Sequence, residues 1–270
     1  MHYVIKADKT HETFNESKLI ESIKRARIPE NLRNQVLEHV RSKIYDGIST
    51  AEIYRHITEF LGQSPDPYAK TRYSLKEAIM NLGPTGYPFE DFISQLLKAQ
   101  GYHTKVRQIL TGECITHEID VIAEKAGRSS IIEAKFHNSP GTRSQIHVAL
   151  YTQARFEDVR IRNHIDETWL VTNTKTTTDV NTYAICKNIK ILSWSYPEGN
   201  GLRDMIERAR LHPVTMLTSL TNAQKRILLN NHVVLCKELY QDNSLIDMLY
   251  LSRPELDKVL SELKSVCSTE

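Results

Sequence analysis

Residues 117–123 read His-Glu-Ile-Asp-Val-Ile-Ala, and residues 131–136 read Ile-Ile-Glu-Ala-Lys-Phe. Each run alternates between apolar and polar side chains, the pattern of a half-buried strand. The polar stretch between them, Glu124 to Ser130, contains Gly127 and predicts a hairpin loop. Folding that hairpin about its middle sets Asp120 opposite Glu133 and Glu118 opposite Lys135. Opposed residues share a face of the sheet, as do residues two apart on one strand. One face then carries Glu118, Asp120, Glu133 and Lys135, and the other Ile119, Val121, Ala123, Ile132, Ala134 and Phe136. Carboxylate oxygens suit a hard divalent cation, which lowers the pKa of bound water, and a nearby lysine offsets growing negative charge. These four residues also read as solvated charges with Lys135 in a cross-strand pair. The hairpin symmetry and the apolar reverse face favour a site for a metal and a phosphodiester.

Working outward, Phe89, Phe92, Ile93, Leu96 and Leu97 form a helical stripe ending at Gly101. Strands are predicted at Thr104–Leu110, Glu118–Ala123 and Ile131–Phe136. A helix follows over about Ser144–Val159, then a strand at Thr168–Thr172, a helix at Asp179–Cys186 and a strand at Ile189–Trp194. This is a mixed sheet with helices packed around it. Upstream, the cluster Leu82-Gly83-Pro84-Thr85-Gly86-Tyr87-Pro88 marks a boundary. Before it come a short extended segment (Tyr3 to Lys6) and helical stripes at Leu19–Ala26, Leu32–Ile44 and Ile53–Leu61. Thr50 reads as a helix start, and a last helix is predicted over about Ala69–Asn81. From about Val214 the chain is helical, with Ser244–Leu249 and Pro254–Val266 as two helices about a turn. The expected fold is multidomain α+β: a mainly helical part with a small β-hairpin over 1–82, an α/β mixed sheet over 86–210, and a helical module over 211–270.

The 270 residues are 40% hydrophobic and 25% charged, normal for a globular chain. No apolar run reaches the roughly 18 residues of a membrane-spanning helix, and the first residues lack the basic and apolar regions of a signal peptide. Cys114, Cys186, Cys236 and Cys267 are scattered without CxxC spacing. That excludes a zinc knuckle and fits a reducing, cytoplasmic setting. The net charge is only +2, so any nucleic acid must be held by local patches rather than bulk attraction.

The motifs Gly86-Tyr87-Pro88-Phe89-Glu90-Asp91-Phe92, Glu118-Ile119-Asp120, Glu133-Ala134-Lys135, Val171-Thr172-Asn173 and Leu192-Ser193-Trp194 resemble the PD-(D/E)xK nuclease superfamily, within it the Mrr-type restriction endonucleases. The resemblance covers residues 86–195 and implies metal-dependent DNA cleavage. By carry-over, Asp120 and Glu133 would ligate Mg²⁺ or Mn²⁺, Lys135 would be the catalytic lysine and Glu90 an accessory acid. Tyr151 and Gln153, on the next helix, are further candidates; His117 and His137 flank the acids. Residues 3–82 are similar to the ATP-cone of ribonucleotide reductases, through Val4-Ile5-Lys6-Ala7-Asp8, Glu12, Phe14-Asn15, Lys18-Leu19 and Ile44–Ile53. That resemblance implies an ATP or dATP site lined by Val4, Lys6, Glu12, Asn15, Lys18 and Thr50. Lys9 is expected to supply the charge missing at Ala7, where the reductase motif has arginine.

The C-terminal pair of helices fits either a DNA-reading helix-turn-helix or a packing and assembly module. Glu255, Asp257 and Glu262 on its second helix would repel phosphate, which favours the second reading. Arg155, Arg160 and Arg162, or Arg203, Arg208 and Arg210, are better placed to face DNA, and they read equally as solvated helix faces. The expectation is a DNA endonuclease under adenine-nucleotide control, in restriction or defence, forming a homo-oligomer and binding DNA but no membrane. The alternatives are a nucleotide-responsive DNA-binding regulator on a catalytically silent nuclease fold, and an RNA-directed or repair nuclease.

Overall fold

The computed structural model describes residues 2–267. They form two compact units. One gathers the chain up to Ala78 with His212–Ile227 and the stretch from Cys236 on; the other gathers Ile79–Leu211 with Leu228–Leu235.

In the first unit, β1 (Tyr3–Ile5) pairs antiparallel with β2 (His11–Thr13) and parallel with β3 (Ile48–Ser49). Helix α1 (Glu16–Arg25) starts where the Asn15 side chain accepts the Lys18 N–H, and it ends on Lys24 and Arg25, which suit its negative pole. Helices α2 (Glu30–Arg41) and α3 (Thr50–Gly62) follow. Ile23, Ile28, Val36, Ile48, Ile57 and Leu61 close the core at 1% exposure or less. The cap of α3 is Ser49, whose Oγ accepts the Glu52 N–H, one residue before the start expected at Thr50. The single helix expected near 69–81 is two short ones, α4 (Ala69–Tyr73) and α5 (Leu75–Met80). They part at Ser74, whose Oγ bonds back to the Thr71 carbonyl.

The second unit is built on a five-stranded sheet of order β10-β8-β6-β5-β4. Helix α6 (Tyr87–Ala99) precedes β4 (His103–Thr111), β5 (Thr116–Lys125) and β6 (Arg128–Lys135), which pair antiparallel. β7 (Arg143–Ser144) and α7 (Ile146–Asn163) lead to β8 (Glu167–Thr172), which pairs parallel with β6. β9 (Lys175–Thr176) pairs with β7, and α8 (Thr178–Lys187) leads to β10 (Lys190–Leu192). Helix α9 (Leu202–Ala209) follows. The hairpin expected to need a long loop turns tightly instead. Lys125 pairs with Arg128, and Ala126 (φ 51°) and Gly127 (φ 75°) both take the left-handed backbone of a two-residue turn.

Strict alternation also fails on β5. Ile119 and Ile122 pack in one cluster with Ile131, Phe156 and Val159, whereas a regular pleat would put them on opposite faces. The ladder to β4 skips Arg107 and Asp120, and the ladder to β6 ends at Val121–Ile132. Arg107 itself takes φ 52°. The pleat is therefore broken at Asp120, a common way for a sheet to re-aim a side chain near a site.

Helices α10 (Asn222–Asn230), α11 (Cys236–Gln241) and α12 (Arg253–Cys267) complete the chain. The first of the two helices expected about a C-terminal turn is a 3₁₀ stretch, Asn243–Leu249. Glu262 on α12 is not a surface charge. It is fully buried, and its oxygens accept from the Thr71, Thr218 and Ser219 hydroxyls and from the Thr218 and Ser219 N–H groups. An acidic side chain that would repel DNA phosphate instead ties α12 to the N-terminal helices.

Candidate functional site

The expected acids meet where the β5 pleat breaks. Asp120 Oδ2 accepts the Ala134 N–H at 2.7 Å, one step beyond the last β5–β6 ladder pair. The carboxylate thus satisfies a backbone donor that the interrupted ladder leaves free, and this fixes its direction. Burial raises the Asp120 pKa, partly offset by that N–H, by Arg155 and by Lys135. Glu133 lies two residues before Lys135 on β6, opposite Leu170 on β8. Burial raises its pKa too, and the Asp120 charge pushes the same way. Glu90, in the first turn of α6, is pushed up to about 7 by burial and then by Asp120, with Arg107 pulling back. All three carboxyls are raised first by burial, and the Asp120 charge adds to the rise at both Glu90 and Glu133, with Lys135 close enough to act on Asp120 and Glu133.

Two arginines complete this picture. Arg155 of α7, expected to face DNA, instead places Nη1 2.6 Å from Glu133 Oε2, with both side chains largely buried. Its Nη2 bonds to the Tyr151 hydroxyl, and the guanidinium lies over the Tyr151 ring. Tyr151 thus reaches the site through Arg155. Gln153 turns to Glu157, and its buried Oε1 has no partner among the described residues. Arg107, which no sequence pattern singled out, bridges Glu90 (3.2 Å) and Asp91 (2.7 Å). His117 and His137 serve elsewhere: His117 bonds Asp158, which also holds the Cys114 and Ile115 N–H groups, and His137 bonds Ser144. Of the other arginines, Arg160 lies over the Phe156 ring, Arg203 pairs with Asp204 and Arg208 bonds Asn200.

Among the described residues, no three His, Cys, Asp or Glu side chains come close enough to enclose a metal ion. The donor set nevertheless fits a hard divalent cation. It consists of carboxylate oxygens without sulfur, and the Arg155 guanidinium already stands against Glu133 as a positive charge.

In the first unit, Lys6, Glu12 and Lys18 converge: Glu12 pairs with Lys6 at 2.5 Å and with Lys18 at 3.1 Å. The Lys6 hydrogen bond is the main reason Glu12 is held below its usual range. Asn15 stands beside them as the cap of α1, accepting the Lys18 N–H. Lys9 sits exposed at the left-handed turn between β1 and β2 (φ 65°). Thr50 is half-buried at the start of α3. The Val4 side chain belongs to the core, so only its backbone borders this patch.

No helix among the described residues is long and apolar enough to cross a membrane, and all four cysteines are free.

Comparisons with known proteins agree with this layout. The ATP cone domain family matches residues 2–78, the Mrr restriction endonuclease family 84–197, and the AF1548-like C-terminal family 212–267. An uncharacterized protein of Archaeoglobus fulgidus is 41% identical over 125 residues, 46% of this chain and 71% of that protein. The crystal structure of AF1548, a protein of unknown function, covers 67% of this chain and 98% of its own at 33% identity, with a TM-score of 0.59. Can2 from Sulfobacillus thermosulfidooxidans, in complex with cyclic tetra-adenylate, aligns over 65% of this chain and 50% of its own. Its TM-score of 0.26 and 10% identity are too low to inform fold or site.

Proposed function

The chain belongs to the AF1548-like family, and from that premise we propose that it is a metal-dependent DNA endonuclease under adenine-nucleotide control. The observation that carries the reading is the gathering of Glu90 and Glu133 about Asp120, each raised in pKa by burial, beside Lys135. Asp120 and Glu133 would hold Mg²⁺ or Mn²⁺, which when bound supplies Lewis-acid activation of water and of the phosphoryl oxygen. Lys135 orients the attacking water and offsets charge growing on the phosphate. Glu90, with a pKa near neutrality, is suited to hold or release a proton. Arg155, which holds Glu133 here, would be free to face the scissile phosphate if that carboxylate held a cation. Residues 1–82 bind ATP or dATP through Lys6, Lys9, Glu12, Asn15, Lys18, Thr50 and the Val4 backbone, residues 86–210 cut, and residues 211–270 form a helical packing or assembly module. Self-association is supported by β4, an edge strand that exposes Ile109. A cytoplasmic role in restriction or defence fits the free cysteines.

The test is incubation with plasmid, linear and single-stranded DNA plus Mg²⁺ or Mn²⁺, with and without ATP or dATP. Asp120→Ala and Lys135→Ala should each lower cutting by about 10²- to 10³-fold. Calorimetry should show ATP or dATP binding to the wild type and none to Lys6→Ala. The ion pair that occupies Glu133 favours a second reading, a DNA-binding regulator without turnover. Tight DNA binding with no cutting under any of these conditions would select it.

A further inference from the structure

Residues 228–235 lie within the segment matched by the AF1548-like C-terminal family, yet they cluster with the nuclease-like unit. Leu228, Val233, Val234 and Leu235 are all buried. Between them the chain makes a tight turn, with the Asn231 and Val233 N–H groups on the Leu228 carbonyl and the His232 N–H on that of Leu229. His232 sits at the tip with a left-handed backbone, φ 60°. Its Nδ1 stands 2.9 Å from Asp91 Oδ2. The other Asp91 oxygen takes Arg107 Nη2 at 2.7 Å, and Arg107 Nη1 reaches Glu90 at 3.2 Å.

We propose that His232, in the 228–235 turn of the second unit, is a positioning residue for the acid site. This rests on the nuclease reading. Facing a carboxylate oxygen, Nδ1 is the protonated nitrogen and donates. It thereby claims one oxygen of Asp91. An arginine beside a carboxylate prefers a two-pronged grip on both oxygens. With one oxygen already taken, Arg107 divides its two prongs between Asp91 and Glu90. Without His232, Arg107 closes onto Asp91 alone and Glu90 loses its anchor beside Asp120. No element of the acid site itself supplies this constraint.

The turn geometry allows a clean test. Glycine and asparagine both accept a left-handed backbone, and only asparagine keeps a donor near the Nδ1 position. His232→Gly should lower kcat for DNA cleavage by about fivefold, a modest factor because the imidazole is largely exposed. KM for DNA should stay within about twofold, since the residue touches no substrate. His232→Asn should keep at least about half of the wild-type kcat. In an Asp91→Asn background, His232→Gly should have no further effect. Selective ¹⁵N labelling of histidine should show His232 protonated on Nδ1 in the wild type, a signature lost in Asp91→Asn. A wild type that cuts and a glycine variant that cuts equally well would overturn the role of His232 alone. Nδ1 found unprotonated, or unchanged by Asp91→Asn, would overturn it as well. A wild type that cuts no DNA would overturn the nuclease reading itself, and this role with it.

Discussion

The patch of Lys6, Glu12 and Lys18 and the acid site are both built from carboxylates paired with cations, and they respond in opposite directions. Glu12 lies at the surface between two lysines and is held below its usual pKa, first by the Lys6 hydrogen bond. Glu133 lies in the sheet against one arginine, and burial lifts it above its usual pKa. Water still solvates the first carboxylate, so each cation adds to its stability. The second has given up its hydration, and one guanidinium does not replace it. Glu262 shows that burial alone does not decide the sign. Burial pushes it up, but hydrogen bonds from Ser219 and Thr71 and from the Thr218 and Ser219 backbone outweigh that push, and its carboxyl is held low. A buried acid with enough donors keeps its charge, and one that is short of them is pushed toward its neutral form. The acid site is short of positive charge, whereas the lysine patch holds two cations against the one carboxylate of Glu12.

The largest expected effect comes from removing the satisfied acid. Glu262→Ala takes the buried acceptor away from two backbone N–H groups and three hydroxyls and should cost about 4 kcal/mol, read by thermal or urea unfolding. A loss under about 1 kcal/mol would mean that water replaces the carboxylate and that this contrast is false. Next comes Arg155→Ala, which leaves Glu133 buried without its partner and should cost about 3 kcal/mol. Millimolar Mn²⁺ should restore more of the melting temperature in this variant than it adds to the wild type, because the ion takes the place of the guanidinium. Equal shifts in the two proteins would separate Arg155 from the metal position.

Much of this contrast could be read in the chain, and part could not. The alternation in 117–123 and 131–136 located the strands, and Asp120, Glu133 and Lys135 do gather at one place. The same alternation misplaced Ile119, because periodicity assumes an unbroken pleat and the break at Asp120 depends on Arg107 in the neighbouring strand. Gly127 marked the turn, but Ala126 accepts a left-handed backbone that its residue type does not announce. Arg155 was visible only as a helix cation. Whether it faces solvent or Glu133 depends on how α7 crosses the sheet, which short-range pattern does not encode. Glu262 was misread for the same reason, since its donors come from positions 71, 218 and 219.

Acidity offers a smaller and more diagnostic effect. Glu90 has an ordinary value of 4.5 and is raised to about 7 in the fold. Below pH 4.5 it is protonated in both folded and unfolded chains. Between 4.5 and about 7 the folded chain keeps a proton that the unfolded chain releases, so this group's contribution to stability falls as pH rises through that window. Glu90→Gln cannot ionise, and its free energy of unfolding should rise relative to wild type across the same window, by an amount on the order of 1 kcal/mol. Glu262→Gln should show the reverse dependence. The carboxylate it removes stabilises above the ordinary value of 4.5, so the deficit should shrink as pH falls below that value. Parallel pH profiles for the two variants would erase the distinction between a cation-hungry acid and a satisfied one.

The smallest structural effect is expected at the nucleotide patch, and its smallness is informative. Lys6→Ala removes one of two lysines from an exposed carboxylate, a contact worth less than about 1 kcal/mol and screened by salt. The melting temperature without ligand should barely move. Stabilisation by added ATP or dATP should nevertheless disappear, because a triphosphate carries more charge than Glu12 and draws on both lysines once it displaces it. A variant that melts normally and still gains the full wild-type shift with nucleotide would place the binding phosphates away from Lys6. A variant that loses several kcal/mol without ligand would make Lys6 a structural residue, and the surplus of charge at this patch would then be a feature of the fold rather than of a site.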